Sequence, residues 1–301
     1  VKGRVPPPRP APAPPPSAAP PPGLDSHWER RLAKATLDPD FTLDLHGHTL
    51  DQAHVRLDIG LAQAKAMGAR MVLLITGKPR PVINYGVGIP DMVSKLVALR
   101  GKSDAIYQTI EHGTYGGLLM DGVLFGYARN ASAMLDAATQ FDFYAGGGLD
   151  IAFLGFGEFD AQGSVNVSRL GGLTVGPGGF IDIAQNARKV VFCGTIAAKG
   201  VKLQTGDGQM RVLQQGSIKK LVPRVEQITF SGPQALKRGQ QVLFLTERAS
   251  FRLTPAGVEL FELAPGIDLQ RDVLDQMDFV PLLAPGLATM DARHFRDPSA
   301  R

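Results

Sequence analysis

Cysteine is almost missing: Cys193 is the only one in 301 residues. No intrachain disulfide can form, and its setting in "KVVFCGTI" reads as that of a small buried hydrophobe. That fits a reducing, cytoplasmic setting. No unbroken apolar run approaches the roughly 20 residues a membrane helix needs, and the first residues lack the apolar stretch of a signal peptide. The six histidines show no ligand spacing, so no metal is expected. Charge of one sign is also lacking. Thirty-two basic against 28 acidic residues give a net +4, spread along the chain, which argues only weakly for an anionic partner. There is no initial Met, and a start at Val1 reads as a fragment or a processed product.

What the chain does have is 44% hydrophobic residues, enough for one sizeable core and for two units. Residues 5–22, "VPPPRPAPAPPPSAAPPP", hold too many prolines for helix or sheet and too few large apolar groups to collapse. Residues 1–23 are therefore expected to be a disordered linker.

Beyond it, Leu43–Leu45 read as a short strand turning at Gly47. Thr49 with Gln52 has capping-box spacing, and Leu50, Ala53, Leu57, Leu61 and Ala64 recur at helical intervals before Gly68 closes the helix. Met71–Ile75 is a continuous apolar run of strand length. The unit is strand, helix, parallel strand, and its polar motifs "LDLHG" and "TGK" fall at the carboxyl ends of the strands, where α/β sheets carry their sites. These motifs resemble the Smr (small MutS-related) domain over about residues 24–80. The resemblance implies a nucleic-acid-binding or nicking site at Asp44, His46 and Gly77. Asp44 and His46 read equally well as strand-end groups satisfying turn backbone. Pro79 stands where the family's TGxG turn has its second glycine, and the family's remaining helix and strands do not follow.

From Val82 the pattern changes. Ile83, Tyr85 and Val87 alternate as in a strand, Pro90 suits a first helical position, and Met92, Leu96 and Leu99 form an apolar face before Gly101. Glu111 follows a further strand and precedes Gly113, Gly116 and Gly117, a carboxylate where the backbone can turn freely. Gly178 and Gly179 of "GPGG" precede an apparent helix from Phe180. They read either as a tight loop or as backbone donors aimed at an oxyanion. For Gly146, Gly147 and Gly148, loop flexibility and pocket lining are both open. Residues 200–263 are mainly β, with a Gly-Asp-Gly hairpin turn and period-two alternation broken at Thr254–Gly257, and they read as cover for one sheet edge.

The segments "NYGVGIPDMV", "TIEHGTYGG", "FDFYAGGGLDIAFLG", "GSVNVS", "GPGGFIDIAQNARKVVFCGT", "VEQITFSG", "VLFLTERASFRLTPAGVEL", "APGIDLQRDVLDQMDF" and "MDARHF" run in order from 82 to 297. Together they resemble the carboxyl-terminal half of the family I CoA-transferases, in the propionate/acetate branch. The resemblance implies an α/β fold with an open, mainly parallel sheet, flanking helices and a β-rich carboxyl-terminal part. It also implies a glutamate nucleophile at Glu111, an oxyanion turn at Gly178 and Gly179, and ping-pong transfer of CoA between short-chain acids. Coenzyme A would be a substrate, with no permanently bound cofactor. His112 stands where many relatives carry serine or asparagine.

The family's amino-terminal half, which helps bind substrate, has no counterpart before Val82. The expected partners are acyl-CoA, short-chain carboxylates, and such a half or a second copy of the chain, with weak nucleic-acid binding through the Smr-like part and no membrane. The alternative is an Smr-type nucleic-acid module fused to a vestigial transferase half. The join falls within "ITGKPRPVINYGVGIP". Pro79 and Pro81 there should prevent one ladder from running through both strands.

Overall fold

The computed structural model describes residues 38–48, 50–76, 80–120 and 122–296. The proline-rich stretch, Thr49, Gly77 and Pro79 lie outside the described residues. The chain divides into two compact units, Val1–Pro79 and Arg80–Arg301.

In the smaller unit, β1 (Phe41–Asp44), α1 (Leu50–Ala66) and β2 (Val72–Ile75) form the expected strand–helix–strand. The strands pair in parallel, Phe41 opposite Val72 through Asp44 opposite Ile75. Helix α1 lies close to β1 because Gly60 has no side chain: a Cβ there would sit 2.6 Å from Leu43 Cδ2. Gly68 ends the helix at φ +68, with its N–H bonded to Lys65 O and that of Ala69 to Ala64 O, the paired bonds of a Schellman stop. The expected apolar stripe holds only in part. Ala64 and Gly60 are buried and Ala53 and Leu57 half-buried, whereas Leu61 is exposed. Leu73, Leu74 and Ile75 are likewise exposed.

The larger unit is built on a ten-stranded sheet. In chain order its parts are β3 (Val82–Tyr85), α2 (Asp91–Leu99), β4 (Tyr107–Thr109), β5 (Thr114–Tyr115), β6 (Ala133–Met134), α3 (Ala137–Ala145) and β7 (Ile151–Gly155). After them come α4 (Phe180–Asn186), β8 (Lys189–Cys193), α5 (Gly232–Lys237), β9 (Gln241–Leu245), β10 (Ala249–Thr254), β11 (Gly257–Leu263) and β12 (Leu282–Thr289). The spatial order is β12-β11-β10-β9-β8-β7-β3-β4-β5-β6. The central run β4-β3-β7-β8-β9 is parallel throughout. Strands β5 and β6 on one side and β10 and β11 on the other are antiparallel, and β12 rejoins in parallel. Strands β2 and β3 belong to different sheets, as the prolines between them require.

Because the chain passes from β3 to β4 on one flank and returns to β7 on the other, the strand order reverses between β3 and β7. The ends of two adjacent parallel strands whose connections leave in opposite directions open a crevice, and α/β sheets bind ligands there.

Two expectations are corrected here. Helix α2 forms behind Pro90 and stops at Gly101, φ +61, but it is turned the other way. Ser94 and Asp91 are buried, and Met92, Leu96 and Leu99 face outward. Ser94 Oγ donates to the buried Gln108 Oε1 at 2.5 Å, and Val93 beside it packs on the cluster of Ile83, Tyr85, Ile110 and Leu119. The segment 241–263 does not cover a sheet edge; it extends the sheet in its own plane, so that β9 gives its outer backbone groups to β10. The Gly-Asp-Gly hairpin forms between Lys202–Gly206 and Gln209–Gln214, with Asp207 and Gly208 both at positive φ, as a two-residue turn of this hand requires.

An aromatic stack fills the centre of the sheet's main core. Phe159, fully buried, lies 4.3 Å from Phe244 centroid to centroid, and Phe244 in turn lies 5.4 Å from Phe192. Cys193 is buried as expected, and that burial pushes its thiol up to about 11.

Candidate functional site

Glu111 owes its position to a hairpin. The N–H of Gly113 bonds to Ile110 O, and the N–H of Ile110 to Thr114 O, so β4 reverses into β5 with Glu111 and His112 at the tip. Gly113 sits at φ +94, and a Cβ on it would fall 2.0 Å from Leu135 O. Only glycine fits there, and the glycine after the carboxylate is what lets the turn close.

The tip opens into a cleft of about 450 Å³ at the reversal point of the sheet. Asn84 to Val87 contribute from the end of β3, Leu154 to Gly157 from the end of β7, and Pro177 to Phe180 from the turn before α4. Phe125, Val167 and Leu170 complete the apolar side. The sequence expectation that Glu111 and the "GPGG" turn act together meets a specific placement. A Cβ on Gly179 would lie 2.6 Å from Glu111 Oε2 and 2.6 Å from Phe141 Cζ. The Glu111 carboxylate can therefore sit where it does only because residue 179 is glycine. Gly178, at φ +54, makes the preceding bend. Helix α4 spans only seven residues, so its dipole is small.

Gly146, Gly147 and Gly148 are not brought to this cleft. Gly146 caps α3, and all three precede β7, whereas the cleft lies beyond its carboxyl end. Gly147 takes the left-handed conformation at φ +88, and a Cβ on Gly148 would collide with the Phe143 ring at 2.3 Å. They stand in the loop between α3 and β7, outside the lining of this cleft.

Below Glu111 lies a buried polar floor that sequence reasoning missed. Asn84 Nδ2 donates to Tyr144 Oη (3.0 Å), Tyr144 Oη donates to Thr109 Oγ1 (2.8 Å), and Thr109 Oγ1 donates to Ile83 O (3.1 Å). Burial raises the Tyr144 hydroxyl, and the Glu111 charge adds to the rise. Asn84 Oδ1 and Tyr85 Oη line or adjoin the cleft, buried, with no hydrogen-bond partner among the described residues. Burial pushes the Tyr85 hydroxyl up to about 12. The available signal was an asparagine inside a short apolar strand, a residue type that strands disfavour.

In the smaller unit, Asp44 accepts from the backbone N–H of His46 at 2.9 Å, and its Oδ1 lies 2.7 Å from His46 Nδ1. These bonds hold the Asp44 carboxyl below its ordinary value. Both side chains are substantially exposed. Arg56 Nε donates to Asp44 O, pinning the strand end to α1. Gly77 lies outside the described residues. Among the described residues no cluster could hold a metal ion, and no helix is long and apolar enough to cross a membrane.

The Smr domain family model matches residues 43–95. That match starts later than residue 24 and runs past residue 80 into β3 and α2, although β3 pairs only with β4 and β7 of the larger sheet. Acetate CoA-transferase YdiF of Escherichia coli O157:H7 is 42% identical over 258 residues, 86% of this chain and 47% of that protein. Caffeate CoA-transferase of Acetobacterium woodii is 41% identical over 242 residues, 79% of this chain and 46% of that protein. The first match takes in more of the chain than 82–297 alone. The crystal structure of the YdiF apoenzyme superposes with a TM-score of 0.69 at 43% identity, covering 73% of this chain and 42% of that one. Glutaconate coenzyme A-transferase from Acidaminococcus fermentans shares the fold at 17% identity, with a TM-score of 0.55, over 74% of this chain and 90% of that chain. The chain spans about half the length of the curated relatives it matches.

Proposed function

We propose, from the homology of most of this chain to family I CoA-transferases, that its larger unit is the glutamate-bearing part of an enzyme exchanging CoA between short-chain acyl-CoA and carboxylic acids. The placement of the Glu111 carboxylate in the space a Cβ on Gly179 would fill, inside a cleft at the sheet's reversal point, carries this reading.

In this reaction the Glu111 carboxylate attacks the thioester carbonyl of acyl-CoA. The carbonyl oxygen takes up the negative charge, and collapse expels CoA thiolate, leaving an acyl-glutamyl anhydride. The thiolate then attacks the glutamyl carbonyl and releases the first carboxylate, so the enzyme holds CoA as a glutamyl thioester. A second carboxylate reverses the sequence and leaves as the new acyl-CoA. Each addition creates an oxyanion, and the N–H groups at Gly178 and Gly179, in the turn beside the Glu111 carboxylate, are the proposed donors to it. The apolar lining keeps water from the anhydride and seats the acyl chain.

Val87 of the cleft lining is exposed, and so are the apolar Ile89, Met92, Leu96 and Leu99 that follow it along the chain. An amino-terminal transferase half, or a second copy, would cover this surface and close the cleft. The proposed setting is the cytoplasm, in keeping with a single buried thiol.

The test is intact mass after incubation with acetyl-CoA, with an amino-terminal half of a related fused transferase supplied. A CoA adduct is expected on the native chain and none on Glu111→Ala; an adduct on the variant would refute the assignment.

The Asp44–His46 pair supports a second reading for the smaller unit. With Nδ1 turned to Asp44, His46 Nε2 is left to act as a base or to contact phosphate. Salt-sensitive binding of DNA or RNA that is lost in His46→Ala would favour it.

A further inference from the structure

One cation stands directly behind the cleft wall and takes no part in the chemistry above. Lys220 Nζ lies 4.1 Å from the centroid of the Phe156 ring. Phe156 lines the cleft, whereas Lys220 does not. The ring is confined on its other contacts. Phe159 meets it edge-on at 5.2 Å between centroids, and a Cβ on Gly194 would fall 2.5 Å from Phe156 Cε1. Gly194 thus leaves just the room the ring needs, and Lys220 closes the box.

Resting on the transferase reading, we propose that Lys220 is a positioning residue whose ammonium holds the Phe156 ring as a wall of the acyl cleft and thereby sets which acyl chains the cleft admits. A cation over an aromatic face is attracted by the ring's quadrupole, more strongly as the pair is removed from water, which biases the ring toward one orientation. The charged groups around it are few. Glu247 attracts it, and that carboxylate is itself held by the fully buried Arg248 at 2.7 Å and by the N–H of Ile196 at 3.0 Å. Neighbouring Lys219 is occupied by Asp278 at 2.8 Å.

The device is pH-sensitive. Burial lowers Lys220 to about 8, with Glu247 opposing the shift. Below that value the ammonium holds the ring; above it the neutral amine has no charge to offer. Chain-length selectivity should therefore change across this range, and a guanidinium at the same position should remove the change.

The experiment measures affinities of the full chain, with an amino-terminal half of a related fused transferase supplied, for acetyl-CoA and hexanoyl-CoA by calorimetry from about pH 7 to about pH 9, around the Lys220 value. For the native chain the ratio of the two affinities should shift several-fold, with a midpoint near 8. Lys220→Arg should keep the low-pH ratio throughout, and Lys220→Met the high-pH ratio throughout. In parallel, NMR of the lysine side chains, with Lys220 assigned by its loss in Lys220→Arg, should show a titration near 8 rather than at the ordinary 10.5. A native chain that binds both ligands with an unchanging ratio, or a Lys220→Met chain that keeps the native low-pH ratio, overturns this inference alone. A Lys220 midpoint at the ordinary value overturns its pH dependence. Binding of neither acyl-CoA overturns the transferase reading of the cleft together with it.

Discussion

Gly179 shows how much a single missing methyl group decides. The space a Cβ would take on its Cα is held by the Glu111 carboxylate and by Phe141. Gly179→Ala must push one of them aside. Because Gly179 is at φ −77, alanine meets no backbone strain and the fold should survive. Alanine keeps the backbone N–H, so the effect comes from displacing the carboxylate; misplacing a reacting group by about 1 Å can cost on the order of 10²-fold, and a kcat loss of that size is expected with the melting temperature nearly unchanged. Near-native turnover would show that this placement of the carboxylate does not serve the reaction. Lys220 permits a stability measurement at the same scale. The folded chain releases this proton at about 8 and the unfolded chain at about 10.5, so between those values the unfolded state binds more protons. Raising the pH through that window therefore favours folding. Relative to Lys220→Met, the native chain should gain stability from pH 8 to pH 10.5, as read by denaturant midpoints. Contributions from the buried tyrosines and Cys193 cancel in the difference.

Among the elements, the parallel strands β7, β8 and β9 carry the load through the aromatic stack. Phe159 touches Phe156, Phe244, Phe251 and Phe279, so its loss would open a cavity shared by the sheet and the segments packed on it. Phe159→Ala should cost about 3–5 kcal/mol. The same change should loosen the Phe156 wall, shifting acyl selectivity along with stability. A cost below about 1 kcal/mol, within the range of volume-conserving swaps, would mean that the core relaxes around the loss. Helix α2 illustrates a different balance. Its spacing marks Met92, Leu96 and Leu99 as one face, yet that face points outward, while Ser94 is buried against Gln108 and Val93 beside it packs inward. A buried polar pair left unmet costs more than three partly exposed apolar side chains.

For the molecule as a whole, that outward face has a consequence for assembly. With Val87 of the cleft lining and Ile89, it adds exposed apolar surface along one stretch of the chain. The 301-residue chain should self-associate in analytical ultracentrifugation and turn over slowly on its own. Leu96→Glu should reduce the association without unfolding it, since the side chain is already 46% exposed. An added amino-terminal half from a related fused transferase should restore part of the activity. A monomer with full turnover would contradict this account.

The sequence alone determined whatever depends on local chemistry and on order along the chain. Gly68, Pro90, Gly101 and the Gly-Asp-Gly turn stop or start elements through their own backbone preferences, and the structure has each in that role. The change of pattern at Pro79–Val82 was legible because prolines remove ladder donors, and β2 and β3 do lie in separate sheets. Glu111 and Gly179 could be named from their motifs. That both line one cleft follows only from the reversal of strand order at β3, which no local pattern encodes. The same holds for the polar floor of Asn84, Thr109 and Tyr144, for the place of Gly146–Gly148 away from the cleft, and for Lys220 behind Phe156. Each depends on which strands become neighbours, and long-range pairing is decided by packing of the whole sheet rather than by any segment's propensity.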